Sequence, residues 1–184
     1  MKHLTGCLLV LVCFCASAQQ KPTDLDKSPM DMNYFPANYP ILKMNGKVNE
    51  APVARVIYSR PQKNNRQIFG GIVKYGEVWR MGANEATEIE FFRSVKLNNK
   101  TIPKGRYTLY AICNSDSWTI ILNQEKDVWG LYYNEKKDIA RHTVPVQKSA
   151  ESVEALTMYF EPARNGANLN VLWDDVKVAV PFSF

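Results

Sequence analysis

The chain has 184 residues, with 23 Lys and Arg against 18 Asp and Glu and a formal net charge of +5. That mild, dispersed excess excludes the clustered basic patch that nucleic-acid binding needs. The nearest approach to one, Arg60-Pro61-Gln62-Lys63-Asn64-Asn65-Arg66, reads as a solvated turn.

Residues 1–18 read as a cleaved secretory signal. Lys2 and His3 precede an apolar run from Leu8 to Ala16, and Ala16-Ser17-Ala18 is a small-x-small cleavage pattern before Gln19. The run is too short for a membrane span. A lipid anchor at Cys13 or Cys15 is disfavoured by the large residues before them, Val12 and Phe14. Cleavage leaves Cys113 as the one cysteine, so no intrachain disulfide forms. It leaves His142 as the one histidine, and with no His-x-His or Cys-x-x-Cys the ligand supply for zinc fails. Asp24-x-Asp26 and Asp174-Asp175 lack the alternating oxygens of a calcium loop and read as turn residues. No metal and no cofactor is expected, and no second segment reads as a membrane span.

Residues 19–47 are expected to form a flexible or extended arm, pinned by Tyr34, Phe35 and Tyr39. Phe35-Pro36 and Tyr39-Pro40 argue against a helix there, because proline pushes the preceding residue toward extended geometry. A single domain over 48–184 then reads as strand after strand. Val53–Ser59 is β-branched and stopped by Arg60-Pro61, and Glu88–Phe92 alternates. Asn98-Asn99 joins Val95–Leu97 to Lys100–Ile102 as a tight hairpin, since Asn tolerates positive φ. A second hairpin pairs Arg106–Ile112 with Trp118–Leu122. Leu131–Tyr133 reads as a short strand, and Pro145 makes Asp138–Val146 an edge strand. Alternation continues over Glu154–Phe160, Leu169–Trp173 and Val176–Phe182, with Asp174-Asp175 as the turn between the last two. Period-two alternation with turns every eight to twelve residues predicts an all-β fold. It would be an antiparallel β-sandwich, jelly-roll-like or barrel-like, of about nine strands with little helix.

One stretch, Gly70–Thr87, packs four glycines, Trp79, Arg80, Asn84 and Glu85 into eighteen residues. It is not a phosphate loop, lacking Gly-Lys-Ser/Thr. Nor does the chain contain a Gly-x-Ser-x-Gly elbow. Two readings of the stretch stand side by side. In one, Arg60, Trp79, Arg80, Asn84, Glu85 and Thr87 form a pocket. Arg80 would present its fork of donors to a small polar, anionic or carbohydrate-like ligand, and Trp79 a stacking face. In the other, the same residues satisfy one another and tie the sandwich together. The candidates for acid–base work are Glu85 and His142, the latter for its near-neutral unperturbed pKa. Trp118, Trp129, Trp173, Tyr107, Tyr110, Tyr132 and Tyr133 are core residues or a sugar-stacking platform, depending on which face they take. Cys113, ending an apolar run, reads as a small buried hydrophobe.

Several motifs together resemble the bacterial domain of unknown function 2911 (DUF2911). They are Tyr58-Ser59-Arg60-Pro61, Arg66-x-Ile68-Phe69-Gly70-Gly71 and Tyr75-Gly76-x-Val78-Trp79-Arg80-x-Gly82-Ala83-Asn84-Glu85-Ala86-Thr87. Ile102-Pro103-x-Gly105-x-Tyr107-x-Leu109, Trp118–Asn123 and Trp129-Gly130 complete the set, so the resemblance runs from about Pro52 to Phe182. Lys74, in place of an expected proline, and Met81 depart from the pattern. The resemblance implies an exported bacterial envelope protein and assigns no activity and no catalytic residue. The expectation is therefore a periplasmic or extracellular protein, not an enzyme, with a ligand pocket on the signature stretch. The alternatives are a hydrolase or isomerase using Glu85, and a structural or partner-binding module without a pocket. Oligomeric state is left open.

Overall fold

The computed structural model describes residues 23–184; the leader, and with it the signal-peptide reading, lies outside the described residues. Among the described residues eleven strands form two antiparallel sheets, so the fold is an all-β sandwich. The strands are β1 (Met30–Phe35), β2 (Ala54–Ser59), β3 (Val78–Trp79), β4 (Glu88–Phe91), β5 (Val95–Leu97), β6 (Lys100–Ile102), β7 (Gly105–Cys113), β8 (Ser117–Asn123), β9 (Asp138–Pro145), β10 (Gln147–Ala163) and β11 (Gly166–Ser183). The larger sheet runs β1-β2-β4-β7-β8-β9, and the smaller β10-β11-β5-β6. Strands β4 and β3 share one edge of β7. The first faces Gly105–Thr108, the second faces Ala111–Ile112, and Leu109 N–H donates to Thr87 O at 2.8 Å between them.

Alternation dictates which side chains enter the core. Val56 and Tyr58 from β2, Leu109 and Ala111 from β7, and Leu156, Met158 and Phe160 from β10 all point into one buried cluster. Both expected hairpins form: Asn98, at φ 53°, turns β5 into β6, and β7 pairs with β8. Strand β9, carrying Pro145, is an edge of the larger sheet.

Four local expectations need correction. The arm is more than a surface strap: β1 is a full member of the larger sheet, paired with β2 from Met30↔Ser59 to Phe35↔Ala54. A short helix, α1 (Tyr39–Met44), follows where prolines argued against one. Pro40 sits in its first turn, where the missing N–H has no helical partner to lose. Tyr39 is held in place by donating its hydroxyl to Glu50 O at 2.9 Å and by stacking on Tyr34. Third, Leu131–Tyr133 is a loop, not a strand.

The fourth correction concerns Asp174-Asp175, which does not end a strand. β11 continues through it, with Val153↔Asp174 and Lys148↔Val176 both paired to β10 and register shifts in between. Asp174 takes φ 53° as a kink in β11, opposite the surplus residues of a bulge in β10. The kink moves the buried side by one residue, from Leu169, Val171 and Trp173 to Val178, Val180 and Phe182, so both halves of the strand face the core. The strand also curves until its ends meet. Phe184 N–H donates to Asn165 O at 3.1 Å, and a methyl group on Gly166 would lie 2.0 Å from Phe182 O. Only glycine allows that backbone contact.

The kink is anchored by Lys63, from the segment after β2, and by Ser152 of the neighbouring β10. The Asp174 carboxylate accepts from Lys63 Nζ and, at 2.9 Å, from Ser152 Oγ. Burial by itself raises the Asp174 pKa, and the Lys63 and Ser152 hydrogen bonds reverse this, holding it below the usual carboxylate range. A depressed folded-state pKa contributes stability above the unfolded value, and that contribution is lost as pH falls through the folded value. We expect Lys63→Met to destabilise the protein at pH 7, with the gap from wild type narrowing below about pH 4. A gap in denaturation midpoint that is equal at pH 7 and pH 3 would contradict this coupling.

Candidate functional site

The signature stretch opens in turns over 70–77, passes through β3 and ends as a tight loop. Val78 and Trp79 pair with β7, and then Met81 at φ 57° and Asn84 at φ 58° turn the chain through a tight loop into β4. Alternation at this entry separates two faces. The Trp79 ring goes inward, stacking on Trp173 at 6.0 Å between centroids and meeting Phe69 and Trp118 edge-on. Met81 is fully buried on the same side, whereas Val78 and Arg80 line a hollow outside.

Most polar groups of the loop are consumed in holding its shape. Ser59 Oγ, fully buried at the end of β2, donates to Ala83 O at 2.5 Å and accepts from Ala83 N–H at 2.7 Å. Thr87 Oγ1, also buried, donates to Met81 O at 2.8 Å, and Trp79 Nε1 donates to Gly82 O at 3.2 Å. Thr87 Oγ1 and the Trp79 indole N–H are thus both spent on carbonyls of the loop itself. Arg60 is likewise committed: it donates to Leu156 O at 3.2 Å, Thr157 Oγ1 at 3.1 Å and Asp31 Oδ2 at 3.1 Å, joining β1 and β2 to β10. Asn84 is a half-buried turn residue.

Arg80 is the exception. Its Nε is buried and has no hydrogen-bond partner, and its guanidinium forms no ion pair with any described residue. Burial pulls its pKa below the ordinary arginine value, though an arginine stays charged at physiological pH. It lines a hollow of about 180 Å³ with Ile72, Val73, Lys74, Glu77, Val78, Gly130 and Leu131, and the half-buried Trp79 borders the same hollow. The nearest carboxylate there, Glu77, sits 3.9 Å from Lys74 instead.

The remaining sequence candidates fall elsewhere. Glu85 is exposed and lines a separate hollow with Glu88 and Asp127. His142, on β9, lines another with Lys96, Asn98 and Arg164. The two acid–base candidates share no hollow, and Arg60 lines none of these three. The aromatic platform divides in the same way. Trp118, Trp173, Tyr107 and Tyr110 are buried, Tyr133 packs on Tyr110, and only Trp129 and Tyr132 are exposed. Cys113 is buried and its thiol pKa is pushed up, which leaves it a poor nucleophile. A hollow of about 740 Å³ lies at the β10–β11 tip between Phe35, Lys96, Arg164 and Phe184, and none of the signature residues line it.

The polar segment Asn123–Gly130 reads in the sequence as a loop or one helical turn with no site role; in the structure the loop from Gln124 to Asn134 caps the outer face of β7 and β8. Ala86 N–H donates to Val128 O at 3.0 Å and Thr108 Oγ1 to Glu125 O at 2.6 Å, bringing Gly130 against Arg80. A Cβ at Gly130, where φ is 82°, would lie 2.9 Å from Arg80 Cβ and 2.8 Å from Ala86 Cβ. The Trp129-Gly130 pair was the available signal, since a glycine inside a polar loop marks a close approach.

A family model described as a protein of unknown function (DUF2911) matches residues 40–182. No curated protein and no solved structure matches the chain. Ser59→Ala should leave both Ala83 backbone groups without their partner and lower stability by about 1–3 kcal/mol, read as a fall in melting temperature. An unchanged melting temperature would mean that the loop is held by other contacts.

Proposed function

The chain belongs to the DUF2911 family, and from that premise we propose an exported envelope protein that binds a small anionic ligand at Arg80. One observation carries the reading: the Arg80 guanidinium faces a hollow with a buried, unpartnered Nε and no carboxylate of its own. Leaving such a donor unpaired costs about 1–3 kcal/mol, and an anion entering the hollow would offset that cost. The signature motif then has two jobs. Trp79, Thr87 and the Ser59 contacts set the loop, and Arg80 is what the loop presents. Asn84 shapes the turn beside it, while Arg60 and Glu85 lie outside the hollow. Chemistry by Glu85 and His142 together gains no support, because they line different hollows. Export rests on the leader, with its apolar run and the Ala16-Ser17-Ala18 pattern.

Two measurements test this. The secreted form should have a mass beginning at Gln19, and a protein retaining residues 1–18 would remove the export reading. Melting curves with acetate, sulfate and phosphate should show a ligand-dependent rise in wild type, since a ligand at a hundred times its Kd adds about 2.7 kcal/mol. Arg80→Gln should abolish the rise while melting at or slightly above wild type without ligand, because it removes a partly desolvated charge. A rise that survives in Arg80→Gln would refute the site.

A further inference from the structure

The walls of the Arg80 hollow say more about its ligand than the guanidinium does. Ile72, Val78 and Leu131 line it, and each is unusually open for a large apolar side chain, at 49%, 38% and 63% exposure. They are not isolated. Of the twelve large hydrophobics exposed among the described residues, six lie on the two segments that meet here, the signature stretch and the Gln124–Asn134 loop: Ile72, Tyr75, Val78, Trp129, Leu131 and Tyr132. Single exposed apolar residues need no explanation, but a concentration around one free charge marks a binding surface.

We infer that the hollow selects a monocarboxylate carried on a small apolar body. The inference rests on the Arg80 reading above and narrows it. The planar guanidinium matches a carboxylate in a two-point contact. The charged side chains in the lining are Lys74, Glu77 and Arg80, a net of +1 that suits one negative charge. Glu77 stands against a second. A volume of about 180 Å³ equals about six waters at about 30 Å³ each, enough for the acid group and a ring-sized body. That body would rest on Ile72, Val78 and Leu131, and Trp129 and Tyr132, which flank Gly130-Leu131 in the chain, extend the apolar surface beyond the rim. Gly130 is the positioning residue. Its lack of a side chain lets the loop approach Arg80 Cβ and Cδ and so sets Leu131 beside the charge.

The test compares two probes, acetate and phenylacetate, by calorimetry at matched ionic strength on the protein from Gln19 onward. Wild type should bind phenylacetate at least tenfold more tightly than acetate. Leu131→Ser, a change at an exposed loop position, should reduce that ratio below threefold, and Ile72→Ser should move it in the same direction. Arg80→Gln should lose both probes. If acetate and phenylacetate bind equally and both depend on Arg80, the apolar-body inference is overturned and the anion site stands. Binding of neither probe, or phenylacetate binding that persists in Arg80→Gln, overturns both.

Discussion

The contact on which the rest of this structure depends is the stack of Trp79 on Trp173. Trp79 belongs to the signature loop on the larger sheet, and Trp173 to β11 in the smaller one. Phe69 and Trp118 close around the pair, so four aromatic rings from four separate parts of the chain meet between the sheets. Aromatic pairs of this kind contribute roughly 0.5–1.5 kcal/mol each beyond their area burial. Their larger effect is geometric. With Trp79 committed inward, strand alternation sends Val78 and Arg80 outward.

That constraint explains why one short stretch reads as both structural and functional. Its hydroxyls, indole and turn residues close on themselves through Ser59, Met81, Gly82 and Ala83. A loop so fully satisfied is rigid, and a rigid loop can hold one charged group in a place it would not otherwise occupy. The Gln124–Asn134 loop does the complementary part, bringing an apolar wall to Arg80 through the space that Gly130 leaves empty. The site is thus assembled from segments about fifty residues apart in the chain.

The second organising device is the kink at Asp174, opposite the bulge in β10. Without it, a β11 that buried Leu169, Val171 and Trp173 would turn Val178, Val180 and Phe182 to solvent. The positive-φ kink at Asp174 restores the buried side, and the strand curves so that its ends touch at Gly166. Lys63, reaching over from the segment after β2, neutralises the aspartate that occupies this bend. Sheet closure and local charge pairing are therefore coupled at one point.

Period-two alternation, with turn residues at short intervals, was enough by itself to determine the all-β class, the two hairpins and the edge position of Pro145, because a half-buried strand must alternate. The same alternation located the residues on either side of Asp174. It could not tell a turn from a kink within one strand, since both shift the buried side by one residue; pairing with β10 on both flanks decided it. The prolines near Tyr39 misled for a related reason: their cost depends on where in a helix they fall, which the local pattern does not specify. The candidate site was half legible. Trp79, Arg80 and Thr87 stood out by type, and the motifs carried the family. Which of them remained unsatisfied was settled only by the fold, because satisfaction is a property of partners distant in the chain. Ser59 claimed the loop backbone, Asp31 claimed Arg60, and Arg80 Nε was left with no partner among the described residues.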